Sequence, residues 1–292
     1  MMNQSPVETA LSRAMIRWSL TKSTPVADTP RSWIFRVEQN GRNFGALKIL
    51  KPVVAEEEGR GARLLQWYEG DGAATVFDIH GDTVFMEWLD GGTLGEPVRA
   101  GRDDEGTIAI ATVVANLHRP RPGAPDDLEP LRDRFQTLFD TDVRAWPHTA
   151  RDLYARASGI ALKLFDRPSA QIPLHGDLHH DNIMSSDRGW LAIDPKRLFG
   201  ERGFDYANLF CNPTQEIATA PAHFLRRLQL VASAASLEPV RLLQWVLAWS
   251  GLSAAWFLAH GQSPEPSLTV ARMAAARLEH LGRIGTRGYR GH

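Results

Sequence analysis

Cysteine is almost absent from this sequence, and its scarcity excludes several kinds of site. Among 292 residues only Cys211 is a cysteine, so no intramolecular disulfide can form and no zinc site can be built from several thiolates. No Cys-His pattern surrounds Cys211, which favours a packed thiol over a reactive nucleophile. A chain without disulfides fits a reducing compartment, and we expect a cytoplasmic protein.

An excess of charge of one sign is also lacking. Lys and Arg number 33 against 34 Asp and Glu, a formal net charge of -1, so nothing global attracts nucleic acid or an anionic membrane. Glu8, Arg13 and Arg17 interrupt the N-terminal apolar residues, unlike a signal peptide, and we expect no later run to approach membrane-spanning length. The sequence therefore predicts a soluble protein whose partner is defined by a local site.

The apolar periodicity changes at the glycine pair Gly91-Gly92. Before it, the pattern predicts helices over residues 7–20 and 55–68 and strands over 33–38, 44–50, 75–79 and 83–88, with an Asn40-Gly41 hairpin turn. After it, helices are predicted over 105–118, 128–139, 151–165, 221–236, 240–260 and 267–284, with one β interruption between 174 and 193. We expect an α+β fold of two lobes, a small antiparallel β-sheet lobe at 1–90 and a larger, mainly helical lobe at 91–292.

Residues 175–182 read HGDLHHDN, which fits the catalytic-loop pattern of kinases. In that chemistry a carboxylate accepts the proton of a hydroxyl, while an amide oxygen a few residues on holds a metal that bridges the phosphates. Asp177 and Asn182 suit these roles. A hairpin through the turn at 185–189 would return Asp194 toward Asn182 as a second magnesium ligand.

A phosphate-binding cation is expected from the N-terminal lobe. Lys48 lies inside the predicted strand FGALKIL, as the lysine of the kinase VAIK motif does. Glu56, Glu57 and Glu58 all precede the following helix and could orient this lysine; we favour Glu58, which shares a helical face with residues 62 and 65.

The strand that ends at the glycine pair would connect the two lobes. Backbone groups of such a connector commonly hydrogen-bond adenine between apolar walls. The residues predicted to contact adenine are Met86, Glu87, Trp88 and Leu89.

Four segments carry a resemblance to a known family. They are FGALKIL, GARLLQWYEGDGAA with MEWLDGGTL, PLHGDLHHDNIM, and WLAIDPKRLFGERGFDYANL. The chain resembles the aminoglycoside phosphotransferase and choline kinase-like superfamily, and more narrowly its aminoglycoside/hydroxyurea antibiotic-resistance kinase branch, which includes streptomycin 6-kinases. The resemblance implies a protein-kinase-like fold, MgATP as phosphate donor and the roles assigned above. It also implies that His175 packs within the catalytic loop and that Asp205 braces it.

Departures from the protein-kinase pattern exclude a regulated protein kinase. No GxGxxG precedes Lys48, Gly176 replaces the arginine of the catalytic loop, and Asp194-Pro195-Lys196 replaces DFG. The expected enzyme is therefore a phosphotransferase that acts on a hydroxyl of a small molecule.

The acceptor is left open by the residues. An aminoglycoside of the streptomycin type is one expectation, and an amino alcohol, a sugar or an amino sugar is the other. Residues 221–292 hold eight arginines but only three glutamates, which disfavours a polycationic acceptor. His179, His180 and Asp181 would line the acceptor pocket, unless they are ordinary surface or core residues.

A rival of another class is a metallohydrolase. His175, His179 and His180 are metal-ligating side chains in one short segment. That interpretation gives no role to Lys48 or Asp194, so the kinase interpretation explains more of the sequence.

The assignment of Asp177 predicts the behaviour of one variant. Asp177→Ala is expected to keep its affinity for ATP but to lose turnover by about 10²–10⁴-fold, because a general base acts mainly in the transition state. ATP binding by calorimetry and ADP release would be measured side by side. Turnover close to that of the wild type would contradict the assignment.

Overall fold

The structure is a computed structural model that describes residues 5–39, 41, 43–52 and 55–288. Its N-terminal part contains α1 (Pro6–Arg17), β1 (Leu20–Asp28), β2 (Ser32–Gln39), β3 (Asn43–Leu50), α2 (Ala55–Trp67), β4 (Val76–His80) and β5 (Thr83–Glu87). The remainder contains α3 (Gly95–Arg99), α4 (Asp103–Leu117), β6 (Glu129–Pro130), α5 (Leu131–Arg134), α6 (Gln136–Asp140), α7 (Arg151–Asp166), β7 (Gln171–Leu174), β8 (Ile183–Ser186), β9 (Gly189–Ala192), β10 (Leu198–Glu201), α8 (Gln215–Ala218), α9 (Pro221–Ala234), α10 (Pro239–Ala259) and α11 (Glu265–Gly288). The mixed α+β architecture with an N-terminal antiparallel sheet is as predicted.

The N-terminal sheet has the order β1-β2-β3-β5-β4, and every neighbouring pair is antiparallel. Side chains of a strand alternate between the two faces. Leu47 and Ile49 pack with α1 in one apolar cluster, whereas Leu50 belongs to the main core. Lys48 therefore faces away from α1, toward the body of the protein.

Strand β1 is not among the elements predicted from the sequence, since Pro25, and Pro30 shortly after it, are typical of irregular structure. Proline cannot donate a backbone hydrogen bond, so it is tolerated in a strand only at an edge or a bulge. Pro25 meets both conditions: β1 is an edge strand, and its register with β2 shifts between Pro25 and Ala27.

The predicted hairpin between β2 and β3 is present, with Gly41 at φ +70. Asn40, the other turn residue of that prediction, lies outside the described residues.

Two expectations for the second lobe were wrong. The helix predicted over 128–139 is divided into β6, α5 and α6, and β10 pairs with β6 and β7 in a small sheet beyond the single β interruption expected. Gly200 explains part of this arrangement, since an added Cβ there would lie 2.6 Å from the Leu131 Cβ. The close approach places β10 against the first turn of α5. The boundary between residues 90 and 91 stays a prediction.

The expectation that no apolar run approaches membrane-spanning length was also wrong. Helix α10 has 21 residues and is long and apolar enough to span a membrane, yet 67% of its most apolar stretch is buried within the protein. Trp245 and Trp249 on this helix are buried. Burial on most sides removes the polar face that a surface helix would show, so the long apolar run is explained by a core position.

Helices α7 and α10 pack closely at a glycine. A Cβ added to Gly251 would lie 2.5 Å from the Cβ of Ala157, closer than packed side chains allow, whereas one added to Gly159 on α7 would meet nothing within 4 Å. The two glycines offer a matched pair for testing this contact.

Gly251→Ala is expected to lower the free energy of unfolding by about 1–3 kcal/mol, because the helices must move apart. Gly159→Ala is expected to be neutral or to raise it by up to about 1 kcal/mol through helix propensity. Urea unfolding of both variants measures the difference. Equal effects of the two substitutions would contradict the packing described.

Candidate active site

The hairpin formed by β8 and β9 brings two candidate metal ligands together. The backbone N–H of Ile193 donates to the carbonyl of Asn182 at 2.9 Å, directly beyond the β8–β9 pairing. Asn182 and Asp194 thus lie at adjacent ends of the two strands, as the sequence predicted. Asp194 has φ +57, a left-handed conformation that an aspartate tolerates better than most residues.

The connector between the lobes is hydrogen-bonded to this hairpin. The N–H of Leu94 donates to the Ile183 carbonyl at 2.9 Å, and the N–H of Ser185 donates to the Gly92 carbonyl at 3.0 Å. A side chain at Gly91 would meet the Ser185 carbonyl oxygen at 2.5 Å, so this contact requires glycine. The glycine pair thus permits strand-like pairing between the connector and the site.

The start of the catalytic loop is held by the Asp205 carboxylate, whose side chain is fully buried. Its oxygens accept hydrogen bonds from the backbone N–H of His175 at 3.0 Å and of Gly176 at 2.7 Å, and from the Nε2 of His118 at 2.9 Å. A buried carboxylate is stable only when such donors replace water. The bracing role that the resemblance implied for Asp205 matches this geometry.

The buried ring of His175 is hydrogen-bonded on both sides. Its Nε2 donates to the Ile193 carbonyl at 2.8 Å, and its Nδ1 accepts from the backbone N–H of Asp177 at 3.3 Å. Burial lowers the pKa of His175 despite the nearby charge of Asp205. The neutral ring therefore ties the catalytic loop to the hairpin.

Asp177 and Asn182 have defined orientations. The Asn182 Nδ2 donates to the Asp177 carbonyl at 2.9 Å, which leaves the Asn182 Oδ1 as the amide atom available to a cation. The Asp177 Oδ1 accepts a hydrogen bond from Asn208 Nδ2 at 3.1 Å. Asn208 was not singled out from the sequence, although it lies three residues after Asp205 in the quoted segment GFDYANL.

Lys48 and Asp194 form an ion pair between the N-terminal sheet and the hairpin. The Nζ–Oδ1 distance is 2.8 Å, and the side chains are 13% and 45% exposed. Lys48 thus reaches the side chain predicted to hold the metal at the phosphates. The side chain of Glu58, predicted to orient Lys48, lies outside the described residues, as do those of Glu56 and Glu57.

The donor atoms suit magnesium. Mg²⁺ prefers hard oxygen ligands and usually takes few from the protein, completing its shell with phosphate oxygens and water. Asn182 Oδ1 and the carboxylate of Asp194 are such oxygens at neighbouring positions. These two residues would hold the ion, and the remaining ligands would come from the nucleotide.

The predicted adenine-contacting residues occupy the end of β5 and the connector. Met86 and Leu89 are nearly buried, and the Trp88 ring lies 5.2 Å from the Arg36 guanidinium. The Glu87 carboxylate accepts from the Thr75 N–H at 2.8 Å and pairs with Arg188. The backbone N–H of Glu87 is also engaged, since it donates to the Thr75 carbonyl at 2.9 Å, and the contact of Glu87 with adenine stays a prediction.

The three candidate acceptor-binding residues have different environments. His179 is half-buried, and its Nδ1 accepts from the Asp181 N–H at 3.3 Å. The Asp181 carboxylate pairs with Arg99 at 2.5 Å and accepts from the Thr93 hydroxyl at 3.0 Å. Burial opposes ionisation of Asp181, but these hydrogen bonds outweigh it and lower its pKa.

The ring of His180 is fully buried beneath the loop, and neither of its nitrogens has a hydrogen-bond partner among the described residues. Burial, then the charges of Arg227, His179 and Arg99, hold its pKa well below the ordinary value. The acceptor-binding role of all three residues stays a prediction.

A model of the aminoglycoside/hydroxyurea antibiotic resistance kinase family matches residues 17–261. The chain is 43% identical over 254 residues to streptomycin 3''-kinase of Klebsiella pneumoniae, a match that covers 85% of this chain and 92% of that protein. It is 30% identical over 250 residues to streptomycin 6-kinase of Streptomyces griseus, covering 82% and 78% of the two chains.

Solved structures agree on the fold. A thermostable variant of an aminoglycoside phosphotransferase, crystallised with ADP and hygromycin B, superposes with a TM-score of 0.59 at 15% identity and covers 96% of this chain and 98% of its own. The predicted bilobal, protein-kinase-like fold is therefore confirmed.

The buried histidines predict how stability depends on pH. A histidine whose pKa is lowered by folding stays neutral in the folded state, so its stabilising contribution is complete above the unfolded pKa of about 6.5 and is lost as the pH falls below it. Between pH 7.5 and 5.5 the free energy of unfolding should fall, with a slope of at most about 1.4 kcal/mol per pH unit for each such histidine.

The variant His180→Phe measures how much of this pH dependence comes from His180. The variant should show a shallower pH dependence than the wild type, because one proton-binding group is removed from the unfolded state; His175 keeps the remainder. Chemical denaturation at several pH values measures both slopes, and an unchanged slope in the variant would contradict the assignment.

Proposed function

The chain belongs to the aminoglycoside/hydroxyurea antibiotic resistance kinase family, and we propose that it transfers the γ-phosphate of MgATP to the 3''-hydroxyl of streptomycin. It is an ATP-dependent phosphotransferase that acts on a hydroxyl of a small molecule. The observation that carries the finer proposal is the 43% identity to streptomycin 3''-kinase over 92% of that protein. Streptomycin 6-kinase, at 30% identity, makes the 6-hydroxyl the second candidate position.

Asp177 would orient the acceptor hydroxyl and accept its proton while the oxygen attacks the γ-phosphorus in line with the leaving oxygen. Its backbone is held by His175 and Asn182, so the carboxylate needs little rearrangement when the substrates bind. Pre-positioning of this kind supplies most of the catalysis in phosphoryl transfer, where the protein contributes little covalent chemistry.

Lys48 would contact the phosphates after its bond to Asp194 loosens or is shared. Magnesium, when bound by Asn182 and Asp194, neutralises phosphate charge as it develops. Because Lys48 and Asp194 are already adjacent at 2.8 Å, the nucleotide would meet its cationic and metal-binding side chains in one place.

The basic composition of residues 221–292 does not disfavour a cationic acceptor. In the described part of this region five arginines form ion pairs, three of them with carboxylates outside the region. The pairs are Arg226–Asp104, Arg227–Asp103, Arg241–Glu201, Arg272–Glu265 and Arg283–Glu279. A count over a sequence region misses carboxylates contributed by the rest of the fold, so it is a poor guide to the charge of a pocket wall.

The metallohydrolase alternative finds no support in the described part of the chain. No cluster of three or more His, Cys, Asp or Glu side chains there could hold a metal ion. The ring nitrogens of His175 are both engaged, and those of His180 are buried.

The proposal is tested with purified protein, ATP and a panel of acceptors that contains streptomycin, ethanolamine and a neutral sugar. ADP release is expected with streptomycin, should need Mg²⁺ and should be abolished by excess EDTA. NMR of the product should place the phosphate on the 3''-oxygen. The Asp177→Ala variant serves as the matched control for contaminating activity.

Other outcomes have defined meanings. A phosphate on the 6-oxygen would contradict the proposed 3''-position and support the 6-hydroxyl as the acceptor. Turnover with ethanolamine or the sugar but not with streptomycin would overturn the aminoglycoside proposal and favour a metabolite kinase. Stoichiometric zinc, with hydrolysis that does not need ATP, would favour the hydrolase.

A further inference from the structure

We propose that Asn208 is a positioning residue for phosphoryl transfer: its side-chain amide holds Oδ1 of Asp177, so that Oδ2 is the oxygen that accepts the proton of the acceptor hydroxyl. The inference rests on the kinase function proposed above and extends it to a residue outside the catalytic loop. Asn208 is 92% buried and donates from Nδ2 to Asp177 Oδ1 at 3.1 Å.

The orientation of the Asn208 amide follows from its two neighbours. An ionised carboxylate only accepts hydrogen bonds, so the amide nitrogen must face Asp177. The amide oxygen then faces Asn212, whose Nδ2 donates to it at 2.9 Å and to the Asn208 carbonyl at 3.0 Å. Donors and acceptors alternate along this chain, which fixes the Asn208 amide in one of its two possible orientations.

A buried ion pair holds the backbone next to Asn208 and Asn212. Arg227 is 1% exposed, and its Nη1 donates to the carbonyls of Leu209 and Asn212, each at 2.7 Å. The same guanidinium binds the carboxylate of Asp103 on α4, with Nη2 to Oδ1 at 2.6 Å. The turn that carries Asn208 is therefore hydrogen-bonded to a buried guanidinium whose charge is neutralised by Asp103.

This arrangement has a chemical consequence for Asp177. A carboxylate fixed at one oxygen cannot rotate freely, so its second oxygen keeps one direction toward the acceptor hydroxyl. Asn208 acts through Asp177 and does not itself contact the substrates.

The first test is Asn208→Ala. A hydrogen bond to a charged group is lost, so kcat should fall about 10- to 100-fold. The KM for ATP should change less than about twofold, because Asn208 does not contact the nucleotide. Asn116→Ala, at the C-terminal end of α4, is the matched control and should leave both quantities unchanged.

Asn208→Asp guards against a folding defect in the alanine variant. It keeps the shape of the side chain but replaces the donor by a second carboxylate. The kcat should fall at least as far as in Asn208→Ala, with the KM for ATP again little changed, since an acceptor then faces the Asp177 carboxylate in place of a donor. A fall in kcat that comes with a comparable rise in the KM for ATP in both variants is what a merely structural role gives, and it would overturn the proposal. Wild-type kcat in Asn208→Asp would overturn it too.

A double-mutant cycle connects the two residues directly. In an Asp177→Asn background the Asn208→Ala substitution should cost little further rate, because the group it positions is gone; independent, multiplicative losses would overturn the proposal. The cycle is measured with streptomycin, or with ATP hydrolysis to water if streptomycin is not an acceptor. A wild type inactive toward streptomycin therefore refutes the proposed substrate, while the cycle still decides the role of Asn208.

Discussion

The fully buried carboxylate of Asp205 is the group on which the active site depends. With no water available, it is stabilised by two backbone N–H groups of the catalytic loop and by His118, so the loop can leave this position only by exposing an unpaired buried charge. The charge of Asp205 also acts on a buried residue of the N-terminal part. Burial and then the charge of Asp205 raise the pKa of Tyr68, which follows α2 directly. One aspartate thus joins the catalytic loop to the residue that follows α4.

The main elements of the fold could be predicted because their signals are local. The β2–β3 and β4–β5 hairpins are marked by glycine turns, and α7, α9, α10 and α11 by apolar periodicity. The failures were elements whose formation depends on distant partners. An edge strand that contains Pro25 and the short strand β10 have little propensity of their own, and each exists because a neighbouring strand supplies the hydrogen bonds.

The active site likewise has residues that the sequence predicted and residues that it did not. Asp177, Asn182, Asp194 and Lys48 could be proposed from spacing within a recognised pattern, and the structure places them in two contacting pairs. The residues that hold this part of the structure in place could not be predicted from spacing. His118, Arg99 and Arg227 lie 87, 82 and 124 residues from the side chains they bind. No local pattern encodes such contacts. Asn208 is an intermediate case. It lies in a segment that carries the family resemblance, but nothing in the sequence shows the partner that gives it a role.

The pairing of the inter-lobe connector with β8 has a mechanical consequence. Residues 92–94 are held to the hairpin by backbone hydrogen bonds on both sides of Met184, so this part of the connector moves as one body with the large lobe. Residues 72–74 of the N-terminal part are held to the same hairpin, because the Ala74 N–H donates to the Ala192 carbonyl and the Ala192 N–H donates to the Gly72 carbonyl, each at 2.9 Å. The β8–β9 hairpin is therefore fastened along both strands, and the ends that carry Asn182 and Asp194 cannot shift without breaking backbone hydrogen bonds to two separate segments of the chain.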